Sequence, residues 1–224
     1  MGDTFRRISP REIGREFSRA SKSYRRWAVP QRRAVDKLLS AFGGYLFNKE
    51  ILDVGAGVGL LTERLLELTP SVSACDISFK SLKENPAPRK VLCNAERLPF
   101  KSGSFDWSVS SFALHWCDWK RALPEMERVS REGLLLALPV KGSLEGIGFP
   151  FPPPEGVLKL LKPNLYWVED LEIPFRGRDF LLFFKRTGTG KNPNKLLSAF
   201  EILKNPDRVS FYGFKVLFAV KFLK

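Results

Sequence analysis

Short apolar runs alternate with stretches of helical spacing between residues 50 and 140 of this chain. The apolar runs predict strands, because they are β-branched or aliphatic and are bounded by turn residues. We expect strands at residues 51–54, 72–77, 91–93, 104–111 and 133–140, with helices at 60–66, 78–84 and 120–131. The fifth run is apolar on both faces, as a central parallel strand requires. This alternation predicts an α/β fold with a doubly wound, mostly parallel, Rossmann-like sheet.

The N-terminal part has a different pattern. Residues 9–42 predict a basic helix that Pro30 breaks or restarts. Basic side chains recur at helical steps along one face, and apolar or small side chains recur along another. The basic set is Arg11, Arg15, Arg19, Lys22, Arg26 and Arg33, and the other set is Phe17, Ala20, Tyr24 and Ala28. We expect Phe17 and Ala20 to pack in the core.

After residue 142 the pattern is less regular. Residues 149–154 consist of Phe and Pro alone and predict a stiff, extended segment. We expect a helix at 158–162, a strand at 172–175, a helix at 180–186 and a final strand at 214–223. The sequence thus predicts one domain in three parts: a helical cap at 1–48, a ligand-binding core at 49–142, and a lid with C-terminal strands at 143–224.

A glycine turn follows the first predicted strand. Asp53 ends that strand, and Gly55, Gly57 and Gly59 then remove every second side chain before a helix begins. Strand, glycine turn and helix together place bare backbone at the carboxyl edge of a parallel sheet, where ligands bind. Asp76 ends the second strand, roughly 20 residues past the turn, at the spacing where an acidic side chain reaches ribose hydroxyls. These features predict a nucleotide site.

The nucleotide follows from what the turn lacks. Leu60 stands where the dinucleotide fingerprint wants glycine or alanine, and no Gly-Lys-Ser/Thr follows for a phosphate loop. The Asp-x-Gly-x-Gly-x-Gly form resembles the S-adenosylmethionine (SAM) turn of class I methyltransferases. NAD(P), or a purely structural turn, is the alternative.

The SAM interpretation assigns a role to each neighbouring residue. The ribose hydroxyls are expected on Asp76, because a carboxylate accepts two hydrogen bonds from a diol. The amino-acid portion is expected near Asp53 and the turn backbone, and the adenine between Ile77 and the next loop. The full predicted cofactor set is Asp53, Gly55, Ala56, Gly57, Asp76, Ile77, Asn94, Ala95 and Ser111.

Charge and cysteine content narrow the possible partners and location. The formal net charge of +13 indicates an anionic partner or a strong non-specific attraction to anions, and the partner could be nucleic acid, an anionic membrane or an acidic carrier protein. The alternative for the basic helix face is a solvated surface without a partner. No apolar run approaches the roughly 18 residues of a membrane span, and no signal peptide is visible. The three cysteines have no metal-ligand spacing, so we expect reduced thiols, as in the cytoplasm, and no metal site. We also expect the protein to be a monomer.

Several segments together resemble one family, the malonyl-acyl-carrier-protein O-methyltransferases of biotin synthesis. Residues 17–31 are similar to that family's helix over the cofactor, and residues 105–117 to its loop after the fourth strand. Further matches are Gly142-Ser143-Leu144, residues 182–190 and residues 212–218. The family usually has Asp where this chain has Asn94, which keeps a carbonyl acceptor without the charge. Residues 146–154 are also shorter than the family's lid over the acceptor.

The resemblance implies a reaction and a partner. SAM would methylate the free carboxyl of a malonyl thioester on acyl-carrier protein, an acidic partner that Arg15, Arg19 and Arg26 would receive. A carboxylate is already ionised at neutral pH, so positioning and desolvation suffice without a strong base.

Two residues are candidates for a catalytic role. Tyr24 is expected to close over the methyl group or contact the acceptor. His115 is either a general base or a side chain packed beside Trp116 with one hydrogen bond.

Other functions remain open at this point. The chain could methylate another small acceptor such as a quinone precursor. It could also be a SAM-binding assembly factor, because mitochondrial respiratory-complex assembly proteins share the Ser-x-x-Leu-His-Trp form of residues 111–116. An RNA-binding role is not expected, because no aromatic and basic RNA-binding motif is present.

Overall fold

The computed structural model describes residues 9–190, 204 and 209–223. Its helices are α1 Pro10–Trp27, α2 Val29–Phe42, α3 Leu60–Leu66, α4 Phe79–Glu84, α5 Trp119–Val129, α6 Pro154–Leu161 and α7 Gly177–Thr187. Its strands are β1 Ile51–Val54, β2 Val72–Asp76, β3 Arg89–Leu92, β4 Phe105–Ser111, β5 Ser130–Pro139, β6 Leu165–Glu172 and β7 Gly213–Phe222. No helix among these residues is both long enough and apolar enough to cross a membrane.

The strands form one sheet in the order β3-β2-β1-β4-β5-β7-β6. The first five strands in this order are parallel, whereas β7 runs antiparallel to both β5 and β6. The predicted α/β fold with a mostly parallel sheet is confirmed. β5 is buried on both faces as expected, but only its β4 side is parallel.

Helices cover both faces of the sheet. On one face α2, α3 and α7 contribute apolar side chains to a core that includes Trp107 and Phe218. On the other face α5 and α6 pack over a second core that includes Leu134 and Leu136 of β5. The two layers leave the carboxyl ends of β1, β2 and β4 uncovered, and α1 lies beside this edge against α4 and α7.

The N-terminal helices differ slightly from the prediction. Ser9 begins α1 with a capping box, in which its hydroxyl accepts the Glu12 amide at 3.3 Å and its own amide donates to the Glu12 carboxylate at 3.1 Å. The chain bends at Ala28, not at Pro30. Pro30 lies in the first turn of α2, where the missing amide hydrogen costs no helical bond. Residues 1–8 of the predicted cap lie outside the described residues.

The C-terminal part departs further from the prediction. The strand predicted at 172–175 is wrong, because β6 runs from Leu165 to Glu172 and pairs along its whole length with β7. β6 is an edge strand whose outer face carries the exposed apolar residues Tyr166 and Val168, so its sequence shows no clean alternation. The helix predicted at 158–162 begins earlier, at Pro154, since proline fits the first helical turn.

Candidate active site

One cavity of about 790 Å³ lies at the uncovered carboxyl ends of β1, β2 and β4, and it is lined by all eleven predicted site residues. They are Tyr24, Asp53, Gly55, Ala56, Gly57, Asp76, Ile77, Asn94, Ala95, Ser111 and His115. Residues 149–153 and the inner side of α1 form the opposite wall. Ligand pockets occupy roughly 300–1,000 Å³, so the volume is that of a small-molecule or cofactor site.

The glycine turn follows β1 and is fastened to β2. The amides of Gly55 and Ala56 both donate to the carbonyl of Cys75, at 2.9 and 3.0 Å. Gly55 has φ +71°, and a Cβ at this position would lie 2.2 Å from the Cβ of Ala113. Gly57 also has positive φ, but a Cβ there would meet nothing within 4 Å. The turn is therefore packed against protein at Gly55 and open to the cavity at Gly57.

The carboxylate of Asp76 closes the turn from the end of β2. Its Oδ2 accepts the Gly57 amide at 2.8 Å, and its Oδ1 accepts the Ser78 amide at 2.7 Å. Burial raises the pKa of Asp76, and these hydrogen bonds from backbone amides oppose the rise. A carboxylate has about four lone-pair sites, so both oxygens can still accept from a diol in the cavity.

Asp53 is a buried acid at the end of β1. Its Oδ2 accepts the hydroxyl of Thr62 at 2.6 Å. Burial raises the pKa of Asp53 to about 7, and the charge of Asp76 contributes to the rise. A cation in the cavity would favour the ionised form of Asp53. The side chain is thus suited to meet an ammonium group.

The far end of the cavity is bounded by Ile77 and by the turn after β3. The side-chain oxygen of Asn94 accepts the Glu96 amide at 3.0 Å, and the Asn94 carbonyl accepts the Arg97 amide at 3.0 Å. The side chain of Asn94 thus orders its own turn, and its oxygen keeps one lone pair for a ligand.

The other end of the cavity has aromatic walls, which we call the aromatic chamber. It is formed by Phe17, Tyr24, Phe112, His115, Trp116, Phe149 and Phe151. The rings of Phe17 and Trp116 pack edge to face with centroids 5.5 Å apart, and those of Trp116 and Phe149 lie 5.0 Å apart. Phe17 therefore lines the cavity and does not pack in the core as expected. Ala20 is buried, as predicted.

The two titratable side chains of the chamber are both uncharged at neutral pH. Burial lowers the pKa of His115 to about 3. Burial, with a smaller contribution from Asp76, raises the pKa of Tyr24. The imidazole packs beside Trp116 with centroids 5.2 Å apart, but its Nδ1 has no hydrogen-bond partner among the described residues.

Sequence reasoning did not assign a site role to Gln31, Phe149 or Phe151. Gln31 is buried and lines both the cavity and the aromatic chamber. A signal was present in the sequence, because Gln31 is the polar member of the stripe Gln31, Ala34, Val35 and Leu38 along α2. The Phe residues of 149–151 were assigned only to an extended segment, and nothing local indicates which surface that segment covers.

The region that contains the glycine turn and Asp76 is similar to known proteins. Residues 52–138 match a family model described as a methyltransferase domain. A malonyl-[acyl-carrier protein] O-methyltransferase of Buchnera aphidicola is 33% identical over 131 residues, which are 56% of this chain and 53% of that protein. One from Geobacter sulfurreducens is 30% identical over 183 residues, 77% of this chain and 64% of that protein. The chain thus spans about half to two thirds of these relatives.

Solved structures share the fold. A putative methyltransferase from Bacillus halodurans has a TM-score of 0.62 at 16% identity, covering 84% of this chain and 97% of that one. Magnesium protoporphyrin IX methyltransferase from Synechocystis, solved with bound SAM, has a TM-score of 0.54 at 17% identity, covering 86% and 80%. The family match and the relatives confirm the predicted resemblance and the predicted enzyme class with its cofactor at the level of the domain.

Proposed function

We propose that this chain, whose residues 52–138 form a SAM-dependent methyltransferase domain, methylates the free carboxyl group of a malonyl thioester carried on acyl-carrier protein. SAM supplies the methyl group in this reaction. The relatives named above carry that activity in their names. Because the chain spans only part of their length, the proposal rests on the chemistry of the cavity.

The residues present fit the cofactor. Asp76 would hold the ribose, and the backbone of Gly55, Ala56 and Gly57 would accommodate the amino-acid portion. Asp53 would meet the ammonium group, since a buried carboxyl with a pKa of about 7 gains from a neighbouring cation. Ser111 at the end of β4 lines the same space, and its buried Oγ has no partner among the described residues.

We choose a carboxylate as the acceptor because the described residues of the aromatic chamber include no effective base. Among the described residues, the titratable side chains of the chamber are Tyr24 and His115, and both are held uncharged. A histidine with a pKa of about 3 is a weak base, because general bases work best with a pKa near the operating pH. A phenol or an ammonium acceptor would need deprotonation, whereas a carboxylate arrives ionised. The chamber therefore suits a carboxylate.

The aromatic walls supply the rest of the catalysis. Phe17 and Phe149 each pack against Trp116, and the three rings line the space beside the glycine turn with apolar surface that favours the loss of water from an acceptor. Removing water from a carboxylate strengthens its electrostatic interactions and makes its oxygen a better nucleophile. Tyr24, kept protonated, can donate a hydrogen bond to the acceptor and help to orient it.

Helix α1 provides the proposed contact with the carrier protein. Ile13, Phe17 and Tyr24 on its inner side line the cavity, while Arg15, Arg19 and Arg26 on its outer side are exposed. An acidic partner docked on these arginines would place its prosthetic group next to the cavity. Complementary charges of this kind mainly raise the association rate and are weakened by salt.

The test is direct methylation of the proposed substrate. The purified chain would be incubated with SAM and malonyl-acyl-carrier protein, and the carrier analysed by mass spectrometry for a gain of one methyl group. The matched control is acetyl-acyl-carrier protein, which has the same carrier and thioester but no free carboxyl. Methylation of both, or of neither, contradicts the proposal.

A flat ring acceptor such as a quinone precursor is the second candidate, favoured by the aromatic walls. A phenolic acceptor added to the same assay separates the two, because its rate should rise steeply with pH in the absence of a base. Methylation of the phenol alone would replace the carboxylate proposal. SAM binding without methylation of any acceptor would favour an assembly role.

A further inference from the structure

Gln31 is a buried polar side chain in an apolar stripe of α2. It is 3% exposed, and its Oε1 has no hydrogen-bond partner among the described residues. Buried polar groups in folded proteins are nearly always hydrogen-bonded, because an unpaired one opposes folding. The amide of Gln31 thus has a structural cost that no contact within the described residues explains.

The unpaired buried atoms of this molecule are gathered in one place. Within residues 9–190 and 209–223, the buried side-chain atoms without a partner are Gln31 Oε1, Ser111 Oγ and His115 Nδ1. All three residues line the main cavity, although they come from α2, from the end of β4 and from the loop after β4. Random packing defects would be scattered, whereas these three atoms belong to residues of one cavity. Each atom is itself buried, so a ligand in the cavity would reach these polar groups only after their side chains rotate.

Two of the three belong to the acceptor end. Gln31 and His115 line the aromatic chamber as well as the main cavity, whereas Ser111 lines only the main cavity. We propose that Gln31, together with His115, binds the oxygen-bearing head of the methyl acceptor and so determines which acceptor is used. This inference deepens the proposed function and rests on it.

The chemistry of the pair suits a carboxylate or carbonyl oxygen. A side-chain amide offers two N–H donors besides its oxygen, and a neutral imidazole offers one N–H donor. The proposal requires the Gln31 amide to present an N–H group, and not its buried oxygen, to the acceptor. Neutral donors can then orient an acceptor oxygen without a buried ion pair, which would require a well-matched counter-charge.

Two substitutions of Gln31 separate this role from a structural role and from a cofactor role. Gln31→Leu keeps the size and removes the unpaired amide, so the melting temperature without ligand should stay the same or rise. The KM for malonyl-acyl-carrier protein should increase about tenfold or more, as expected for a lost hydrogen bond to a charged group. The Kd for SAM, measured by calorimetry, should change less than about twofold.

Gln31→Glu keeps the shape but presents only acceptor oxygens. It should weaken the carboxylate acceptor further than Gln31→Leu, because the two anions repel each other. If Gln31 instead held the cationic cofactor, the same change should preserve or tighten SAM binding, while Gln31→Leu should weaken it. That pattern would overturn the inference.

Arg33→Leu is the matched control, since Arg33 lies on the same helix but is exposed. It should leave SAM affinity and the KM for a small malonyl thioester unchanged. A fall in melting temperature in Gln31→Leu with an unchanged acceptor KM would assign Gln31 to the fold alone.

A binding measurement keeps the inference separate from the proposed function. Malonyl-pantetheine would be titrated into wild-type and Gln31→Leu protein, each saturated with S-adenosylhomocysteine. Weaker binding to the variant supports the inference even if turnover is not seen, and equal or absent binding overturns it. Should the wild type methylate a phenol and not a malonyl group, the proposed function fails. The KM of Gln31→Leu is then measured with the phenol as acceptor, and a KM equal to that of the wild type overturns the inference as well.

Discussion

The two ends of the main cavity satisfy their polar groups in different ways. At the cofactor end, Asp53 and Asp76 accept hydrogen bonds from Thr62, Gly57 and Ser78. At the acceptor end, the polar side chains sit among aromatic rings, and the amide oxygen of one and an imidazole nitrogen of another have no partner among the described residues. The two carboxylates of the first region are thus held by the protein itself, although Ser111 Oγ there also has no partner among the described residues. The second region would be completed by the acceptor that we propose. Four sets of substitutions, at the glycine turn, at Asp76, at Asp53 and on the outer surface of α1, follow from the largest expected effect to the smallest.

The largest effect should come from the glycine turn. Gly55→Ala would place a Cβ 2.2 Å from the Cβ of Ala113 at a positive φ, so the turn must distort. We expect a lower melting temperature and no measurable SAM binding. Gly57→Ala is the matched comparison, because its Cβ would meet nothing within 4 Å. It should keep most of the stability and lose affinity for SAM, as seen by calorimetry. Equal stability of the two variants would contradict this account of the turn.

Asp76 should come next. Asp76→Ala removes the acceptor of a proposed diol and the partner of the Gly57 amide, so SAM affinity should fall more than tenfold, about 1.4 kcal/mol or more. Asp76→Asn keeps one oxygen acceptor, so its affinity for SAM should lie between those of Asp76→Ala and the wild type. Asp36→Asn, an exposed change on α2, serves as the control and should leave the affinity within about twofold. Unchanged calorimetric affinity in Asp76→Ala would remove this residue from the site.

The raised pKa of Asp53 predicts that the stability of the folded protein depends on pH. Its pKa is about 7 in the folded chain against an ordinary 3.8, so the folded state binds this proton more tightly. The stability that Asp53 contributes is therefore present below about pH 4 and is lost as the pH rises towards 7. Asp53→Asn should flatten this fall and stabilise the protein at pH 8, by an amount on the order of a few kcal/mol. Chemical denaturation at pH 5 and pH 8 measures both.

The same carboxyl should couple SAM binding to protons. If the cofactor's ammonium group favours ionised Asp53, binding near pH 7 releases a proton and is stronger at pH 8 than at pH 6. Calorimetry in buffers of different ionisation enthalpy detects the release. Asp53→Asn should abolish it, and a proton release that persists in this variant would assign it to another group.

The smallest effect should come from the outer surface of α1. Reversing Arg15, Arg19 and Arg26 to Glu should raise the KM for carrier-bound substrate several-fold at low salt and less at high salt. Turnover of a small malonyl thioester should be nearly unchanged. Loss of the Arg19–Glu16 ion pair should matter little, since it is exposed and such pairs contribute about 0–1 kcal/mol.

The control carries the same charge change elsewhere on the surface. It is the triple reversal of Lys101, Lys159 and Lys162, which are exposed on other elements. An equal rise in KM in both triple variants would indicate a net-charge effect and not a docking surface. Equal losses on both substrates in the α1 variant would mean that the helix itself is damaged.

The cofactor end could be predicted from sequence because its information is local. Asp53 and the three glycines are consecutive along one strand and turn, and Asp76 ends the next strand. Parallel strands bring their carboxyl ends to one edge, so these residues had to meet. The ends of β1 and α3 are as predicted, because the glycine turn marks where the strand ends and where the leucines at helical spacing begin.

The acceptor end could not be predicted because it is assembled from distant segments. Its walls come from α1, from the loop after β4 and from residues 149–151, and Gln31 comes from α2. Burial, which lowers the pKa of His115, depends on all of these segments together and is invisible in the sequence around one histidine. β6 was not predicted because its two faces do not separate apolar from polar residues. The inner face carries Glu169 between Trp167 and Leu171, and the outer face carries the exposed apolar residues Tyr166 and Val168.

The position of β7 in the sheet determines the order in which the C-terminal strands can pair. β6 precedes β7 in the chain, yet its hydrogen-bonded neighbour in the sheet is β7, which lies between it and β5. During synthesis β6 must therefore wait as an unpaired strand until residues 213–222 have emerged. Phe214 of the same strand packs edge to face against Phe112, with centroids 5.1 Å apart. A nascent chain can thus form its glycine turn and parallel strands early, and it acquires the support behind its acceptor chamber only when β7 is inserted.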